Sequence, residues 1–168
     1  MMNSNDRLKN VSWGVFPVHK IFIVDYGTKL DLGKMTHDNP TISFVSRSSI
    51  NNGVSDYVDE IQGVIPYKSG SITLALGGSL GACFVQNSDF YTSQNVAVIT
   101  TKEQLSLETK LFITRMMTFE CQTKYQAFGR ELNSHLKTDL TVSLPISEDG
   151  NPNWKFMHDY ISLSLIHI

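Results

Sequence analysis

Several features that would place a chain quickly are missing from these 168 residues. No apolar run approaches the roughly 20 residues a membrane helix needs. The opening MMNSNDRLKN holds no apolar stretch ending in small residues, so it does not read as a secretory signal. Both points lead to the expectation of a cytoplasmic protein with no membrane contact. Cysteine is scarce. Cys83 and Cys121 sit in the apolar contexts GACFV and TFECQT, which suits two buried small hydrophobes in a reducing compartment. A disulfide between them stays open, with nothing in the spacing to favour it. No Cys-x-x-Cys or His-x-x-x-His pair occurs and the five histidines are scattered, so no metal site is expected. A basic excess is also missing: 14 Lys and Arg stand against 16 Asp and Glu, a formal charge of -2. That excludes a uniformly basic nucleic-acid binder, but not a basic face on a near-neutral body.

What is present is an ordinary globular composition of a length that suits one domain with a sizeable core. Phe16 to Tyr26 reads as one β-rich run, Ile42 to Ser46 as a short strand, and Ser71 to Leu76 and Ala82 to Gln86 as strands broken by Gly77-Gly-Ser-Leu-Gly81. Phe90 to Thr100 reads as a further strand. Arg47 to Gly53 is a small polar loop ending in Asn52-Gly53, the strongest turn signal in the chain. Val54 to Val64 reads as a brief helix or irregular turn. The clearest helix runs from about Ser106 to Lys124. Ser106 can cap it, Phe112, Met116 and Phe119 recur at helical spacing, and Ile113, Met117 and Cys121 form the next row. Tyr125 to Asn133 reads as a turn region leading to a short helix near Asn133 to Lys137, and Thr141 to Pro145 as a last strand. Trp154 to Ile168 can begin as a helix, although Ile161 to Leu165 alternates like a strand. Strands early and helices late predict an α+β fold: a twisted, mostly antiparallel or mixed sheet with one long helix and short ones.

Chemistry-bearing constellations are few. Gly77-Gly-Ser-Leu-Gly81 follows a strand, but lacks the Lys-Ser/Thr ending of a phosphate loop and the spacing of a dinucleotide fingerprint. A strand-like segment follows it rather than a helix, so no helix N-terminus faces an anion there; Ser79 is read as having no nucleophile-elbow context, with no His placed locally to serve it. A glycine turn of this kind can instead bring backbone N–H groups against a phosphate. Asp56, Asp59 and Glu60 read as a solvated turn. No acid–base pair stands out, and catalysis is not expected of this chain. From Arg115 to Lys137, four basic residues (Arg115, Lys124, Arg130, Lys137) meet two acidic ones (Glu120, Glu131), with Gln122, Gln126 and Asn133 among them. Such a stretch suits a polar helix exterior as well as phosphate and base-edge contacts. The loop Arg47, Ser48, Ser49 to Asn51, Asn52 has the same double reading.

Four pieces taken in order resemble a known family. They are Tyr26-Gly-Thr-Lys-Leu-Asp-Leu-Gly-Lys-Met35; Phe44-Val-Ser-Arg-Ser-Ser-Ile-Asn-Asn-Gly-Val54; Ile72-Thr-Leu-Ala-Leu-Gly-Gly-Ser79 with Phe90-Tyr-Thr-Ser-Gln-Asn-Val-Ala-Val98; and Tyr125 to Pro145, holding Phe128-Gly-Arg130, Leu136-Lys137 and Leu144-Pro145. With the coda Gly150-Asn-Pro-Asn-Trp-Lys-Phe-Met157, the chain resembles a target-recognition domain of type I restriction–modification specificity subunits and related type II enzymes. The likeness runs from about Phe16 to Ile161.

The resemblance implies a non-catalytic reader of double-stranded DNA that directs a partner methyltransferase, and often a nuclease or translocase, to its site. S-adenosylmethionine, Mg and ATP would belong to those partners, with no cofactor on this chain. Arg47, Ser48, Asn51, Asn52 and Ser79 are expected to approach DNA from loops, with Lys124, Arg130, Asn133 and Lys137 as a basic rim. Residues 1–150 would be the recognition domain and 151–168 the truncated start of a spacer. A half-subunit acting as a homodimer, a fragment and a remnant are three open forms. The alternative is a protein-interaction module that binds or regulates a methyltransferase without reading DNA, which the apolar tail Tyr160 to Ile168 would suit. An independent hydrolase lacks a supporting constellation.

Overall fold

A computed structural model describes residues 4–125 and 131–166. Most of the expected turn at Tyr125 to Asn133, with Gln126 and Arg130, lies outside the described residues. A short helix α1 (Ser4–Lys9) precedes β1 (Trp13–Pro17), a helical turn α2 (Val18–Ile21) and β2 (Phe22–Asp25). Then come β3 (Ile42–Val45), β4 (Val54–Val58), β5 (Ile72–Ala75), β6 (Cys83–Val85), β7 (Phe90–Thr92) and β8 (Val96–Thr101). Helix α3 (Leu107–Lys124), a single turn α4 (Leu132–His135), β9 (Thr141–Pro145) and α5 (Trp154–Ile166) complete the order. The fold is α+β, as its strand and helix distribution predicts.

Its strands form three small sheets rather than one. β1 pairs antiparallel with β9. β2-β8-β5-β6 is an antiparallel four-stranded sheet, and β4-β3-β7 is mixed, β3 and β7 running parallel. The run read as one strand from Phe16 to Tyr26 is therefore two. Val18 is fully buried and its N–H donates to Leu140 O at 2.9 Å, so the chain turns inward through α2 and changes sheet. Phe90 to Thr100 divides in the same way. Asn95 takes a left-handed backbone, φ 58°, which Asn tolerates, and frees β7 to pair with β3 while β8 pairs with β5. Val54 to Val58 is a strand, not a helix or irregular turn. It closes a hairpin with β3, Ser55 and Tyr57 exposed and Asp56 half-buried between them.

Helix α3 starts where its cap predicts: Ser106 Oγ accepts from Thr109 N–H at 3.2 Å. Its buried face is Phe112, Ile113, Met117 and Cys121, packed on the four-stranded sheet and joined by Leu132, Leu136, Leu140 and Met157. Each such aliphatic side chain contributes about 1.5–3 kcal/mol by leaving water. Phe119 falls in the same row as the buried Phe112, seven residues on, yet is 59% exposed. The thiols of Cys83 and Cys121 are both free and buried. Two smaller clusters, around Phe44 with Tyr91 and around Val45 with Phe90, underlie the loops described next.

Candidate nucleic-acid interface

The loop between β3 and β4 is shaped by three consecutive left-handed residues, Asn51 (φ 49°), Asn52 (φ 56°) and Gly53 (φ 78°). Asparagine visits this region more readily than other side chains that carry a Cβ. Asn51 Nδ2 donates to Val54 O at 2.9 Å, closing the loop on itself. Asn52 Nδ2 donates to Val85 O at 2.8 Å, and Gln86 Nε2 donates to Asn52 O at 2.9 Å, fastening the loop to β6. Ser48 Oγ accepts from Ile50 N–H at 3.2 Å. Arg47 projects from this frame, exposed.

The second loop, Gly77 to Gly81, lies against the first. Ser79 N–H donates to Arg47 O at 3.2 Å. Gly78 (φ 64°) comes so close that a Cβ there would sit 3.0 Å from Arg47 Cβ. On its far side a Cβ at Gly81 would stand 2.9 Å from Cys121 Cβ, so the loop is wedged between the Arg47 loop and α3. Gly77 to Gly81 has the G-x-S-x-G spacing, but it joins two antiparallel strands, and among the described residues no side chain hydrogen-bonds the Ser79 hydroxyl. A depression of about 420 Å³, lined by Leu32, Phe44, Arg47, Gly78 and Ser93, opens between these loops. Another of about 440 Å³ runs between Ser49 and the α3 residues Arg115, Thr118 and Gln122.

A strap of residues 26–30 extends this edge. Leu30 N–H donates to Thr92 O at 2.9 Å, and the adjacent Ser93 N–H donates to Val45 O at 2.9 Å, just before the Arg47 loop. Tyr26 leads the strap. Lys137 Nζ lies 4.9 Å and Lys29 Nζ 5.1 Å from its ring centre, and its hydroxyl donates to Asn133 O at 3.5 Å. The neighbouring Asp25 accepts from Tyr26 N–H at 2.7 Å and from the Tyr67 hydroxyl. Burial, with the Asp25 carboxylate beside it, pushes the Tyr67 phenol well up, so that hydroxyl keeps its proton. Arg47, Lys29 and Lys137 form no ion pair with a described carboxylate. Among the described residues, then, these three cations have no ion-pair partner.

The family model for the type I restriction modification DNA specificity domain matches residues 10–167. The chain belongs to that family. The specificity subunit S.BcgI of a type II restriction enzyme from Heyndrickxia coagulans is 23% identical over 154 residues, covering 92% of this chain and 44% of that protein. The type I S subunit from M. genitalium superposes with a TM-score of 0.66 at 14% identity, over 94% of this chain and 40% of that one. The HsdS subunit from Thermoanaerobacter tengcongensis gives 0.63 at 11%, over 92% and 37%. This chain therefore spans less than half the length of each of these relatives.

Within this specificity domain the expected residues fall into two groups. Arg47, Ser48, Asn51, Asn52 and Ser79 occupy two loops in contact, the amide of Asn52 being used to hold the first loop on β6. Asn133 and Lys137 meet at Tyr26. Lys124 stands apart: its ammonium pairs with the buried Glu120, whose carboxylate also accepts from Thr141 Oγ1 at 3.0 Å. Arg130 is outside the described residues. Sequence reasoning missed Lys29 and Tyr26 as site residues, although both lie in the first segment that carried the family resemblance. Among the described residues no group of three His, Cys, Asp or Glu side chains is placed to hold a metal, and no helix is long and apolar enough to cross a membrane.

Proposed function

We propose that this specificity domain reads double-stranded DNA by sequence and directs a partner methyltransferase to its target, with no catalysis of its own. The observation that carries the reading is that Arg47 and Ser79 stand on two touching loops, that the strap carrying Lys29 is tied through Thr92 and Ser93 to the root of the first, and that Arg47, Lys29 and Lys137 form no ion pair with a described carboxylate. Arg can pair bidentately with guanine, Asn and Ser can meet base edges or phosphates, and lysines neutralise the backbone. Arg47, Ser48, Asn51 and Ser79 would face the groove, Asn52 holding their loop in shape. Asn133 and Lys137, with Arg130, would line the backbone side, Lys124 being held by Glu120 instead. Residues 1–150 form the reading body and 151–168 begin a connecting segment. Helix α5 packs the buried Met157 into the core beside α3, and its end, with Leu163, Leu165 and Ile166, is exposed.

The chemistry would lie on partners: S-adenosylmethionine on a methyltransferase, Mg and ATP on a nuclease or translocase subunit, with a homodimer of this chain as a further assembly, in the cytoplasm of a bacterium. The test is binding to a pool of random duplexes followed by sequencing of the retained fraction. Enrichment of a defined motif, lost in Arg47→Ala, is the expected result. Retention without any motif, or no retention, overturns the reading.

A further inference from the structure

Two ammonium groups, those of Lys29 and Lys137, lie against the Tyr26 ring. A ring face attracts a cation through its quadrupole. Here two ammonium groups converge on the same ring, and the distances to its centre hold them within 10.0 Å of each other. Neither forms an ion pair with a described carboxylate, and the nearest acidic neighbour in sequence, Asp25, is already engaged by Tyr67 and by Tyr26 N–H. Lys29 is also strained. Its backbone φ of 55° lies in the left-handed region, which a residue with an unbranched charged side chain seldom occupies. The strap imposes that conformation from both sides. Thr28 N–H donates to Thr92 Oγ1 at 2.9 Å and Thr92 N–H to Thr28 Oγ1 at 2.7 Å, while Leu30 N–H donates to Thr92 O. Strain kept in place by over-determined surroundings is characteristic of binding sites.

We propose that Lys29 and Lys137, set by the Tyr26 ring, form a two-point seat for a backbone phosphate of the duplex, beside the Arg47 loop. This rests on the DNA-reading function proposed above and assigns one part of it. Two ammonium groups on flexible stems suit a phosphate as point charges, whereas base reading favours the planar fork of Arg. Through Thr92 and Ser93 the strap is tied to Val45 at the root of the Arg47 loop, so a phosphate held here fixes the register in which Arg47 meets the groove. Tyr26 is a positioning residue: it binds nothing itself and confines the two lysine stems.

Fluorescence anisotropy with a random-sequence duplex across a salt series tests the seat. Lys29→Gly and Lys137→Gln should each lower the slope of log affinity against log salt by about 0.9. Lys29→Gly relieves the left-handed backbone and should unfold no earlier in denaturant than the parent, which separates lost charge from lost fold. Tyr26→Phe should bind as the parent does, and Tyr26→Leu several-fold more weakly at low salt. If both lysine variants keep the parent slope while Arg47→Ala still changes binding, the seat is wrong and the DNA reading stands. If the parent chain does not bind duplex at all, both fall. A Lys29→Gly protein that unfolds early also overturns the seat, because the strain argument then fails.

Discussion

Gly78→Ala tests whether the two loops touch as described, because its cost divides into a backbone part and a contact part. With φ at 64°, any residue bearing a Cβ loses about 1–2 kcal/mol relative to glycine in the left-handed region. The added Cβ would also lie 3.0 Å from Arg47 Cβ and 3.1 Å from Arg47 O. Neither is the far end of a flexible side chain, so the neighbouring loop must shift and strain the Ser79 N–H to Arg47 O bond. Overpacking of this kind costs about 1–3 kcal/mol. The expected total is about 2–5 kcal/mol, a large share of a domain's net stability. Gly150→Ala and Gly63→Ala supply the reference, since φ is 79° and 81° there and a Cβ meets nothing within 4 Å. They should cost only the backbone part, about 1–2 kcal/mol. Urea unfolding followed by the fluorescence of Trp13 and Trp154 gives the three midpoints, and equal slopes allow direct comparison. A Gly78→Ala midpoint no lower than those of the two reference variants would refute the contact between the loops, and with it the shared surface that joins Arg47 to Ser79.

Other outcomes follow from local chemistry. Lys124→Met leaves the buried Glu120 carboxylate with Thr141 as its remaining described side-chain partner and should cost about 1–3 kcal/mol; an unchanged urea midpoint with weakened DNA binding would make Lys124 a surface contact instead. Ser106→Ala removes the α3 cap and the Oγ contact to His158 Nδ1 at 2.9 Å, and should cost about 1 kcal/mol by the same assay. The thiols should resist iodoacetamide in the native protein at mildly alkaline pH and react in concentrated guanidinium. Burial drives both up, Cys121 to about 12, with Cys121 adding to the effect on Cys83 and Glu120 to that on Cys121; rapid native labelling of either would contradict this. Acid should loosen the loops beside β4 and β7. Asp59 is held below its ordinary 3.8 by the Thr36 hydroxyl and the Asp38 and Asn39 N–H groups, and Asp89 by Lys68 and the Ser69 N–H. Folded values below unfolded ones mean that their contribution is complete above about pH 4 and is lost as pH falls through the depressed folded values. Melting temperature followed down through this range should fall less in Asp59→Asn than in the parent, and parallel curves would dismiss Asp59 as a contributor.

The elements legible in the sequence are those in which local signals agree. In α3 the Ser106 cap, Glu108 in the first turn and the Ile113, Met117, Cys121 row all point to one helix, and it forms with those residues buried. Where signals conflict, tertiary packing decides. Ile161-Ser-Leu-Ser-Leu165 alternates like a strand, yet α5 runs through it. Met157, Tyr160 and Ile161 fall at helical spacing on α3, and Ser164 Oγ bonds back to Tyr160 O at 2.8 Å, giving a polar side chain a place on a helix. The run read as one strand from Phe16 breaks at Pro17, which ends β1, because Val18 is buried. No window of residues 16–26 could show this, because Val18's partner is Leu140.

The site divides along the same line. Asn52-Gly53 announces a tight left-handed turn, so the Arg47 loop was readable as a loop. Lys29 was not, because what distinguishes it is a ring it shares with a lysine 108 residues away along the chain. Net charge decides little for a related reason. A formal charge of -2 argues against DNA only if every carboxylate is free to weaken the field of the binding face. Many are occupied elsewhere. Asp59 closes the loop at Thr36 to Asn39, Asp89 holds Lys68 and Ser69, Glu120 holds Lys124, Asp149 holds Asn151 and Asp159 holds Lys155. Each of these acts within its own few ångströms, and the Debye length near 10 Å at ordinary salt screens it beyond. Arg47, Lys29 and Lys137 form no ion pair with a described carboxylate, so in the DNA reading proposed above they, more than the sum over the chain, would set the potential a duplex meets.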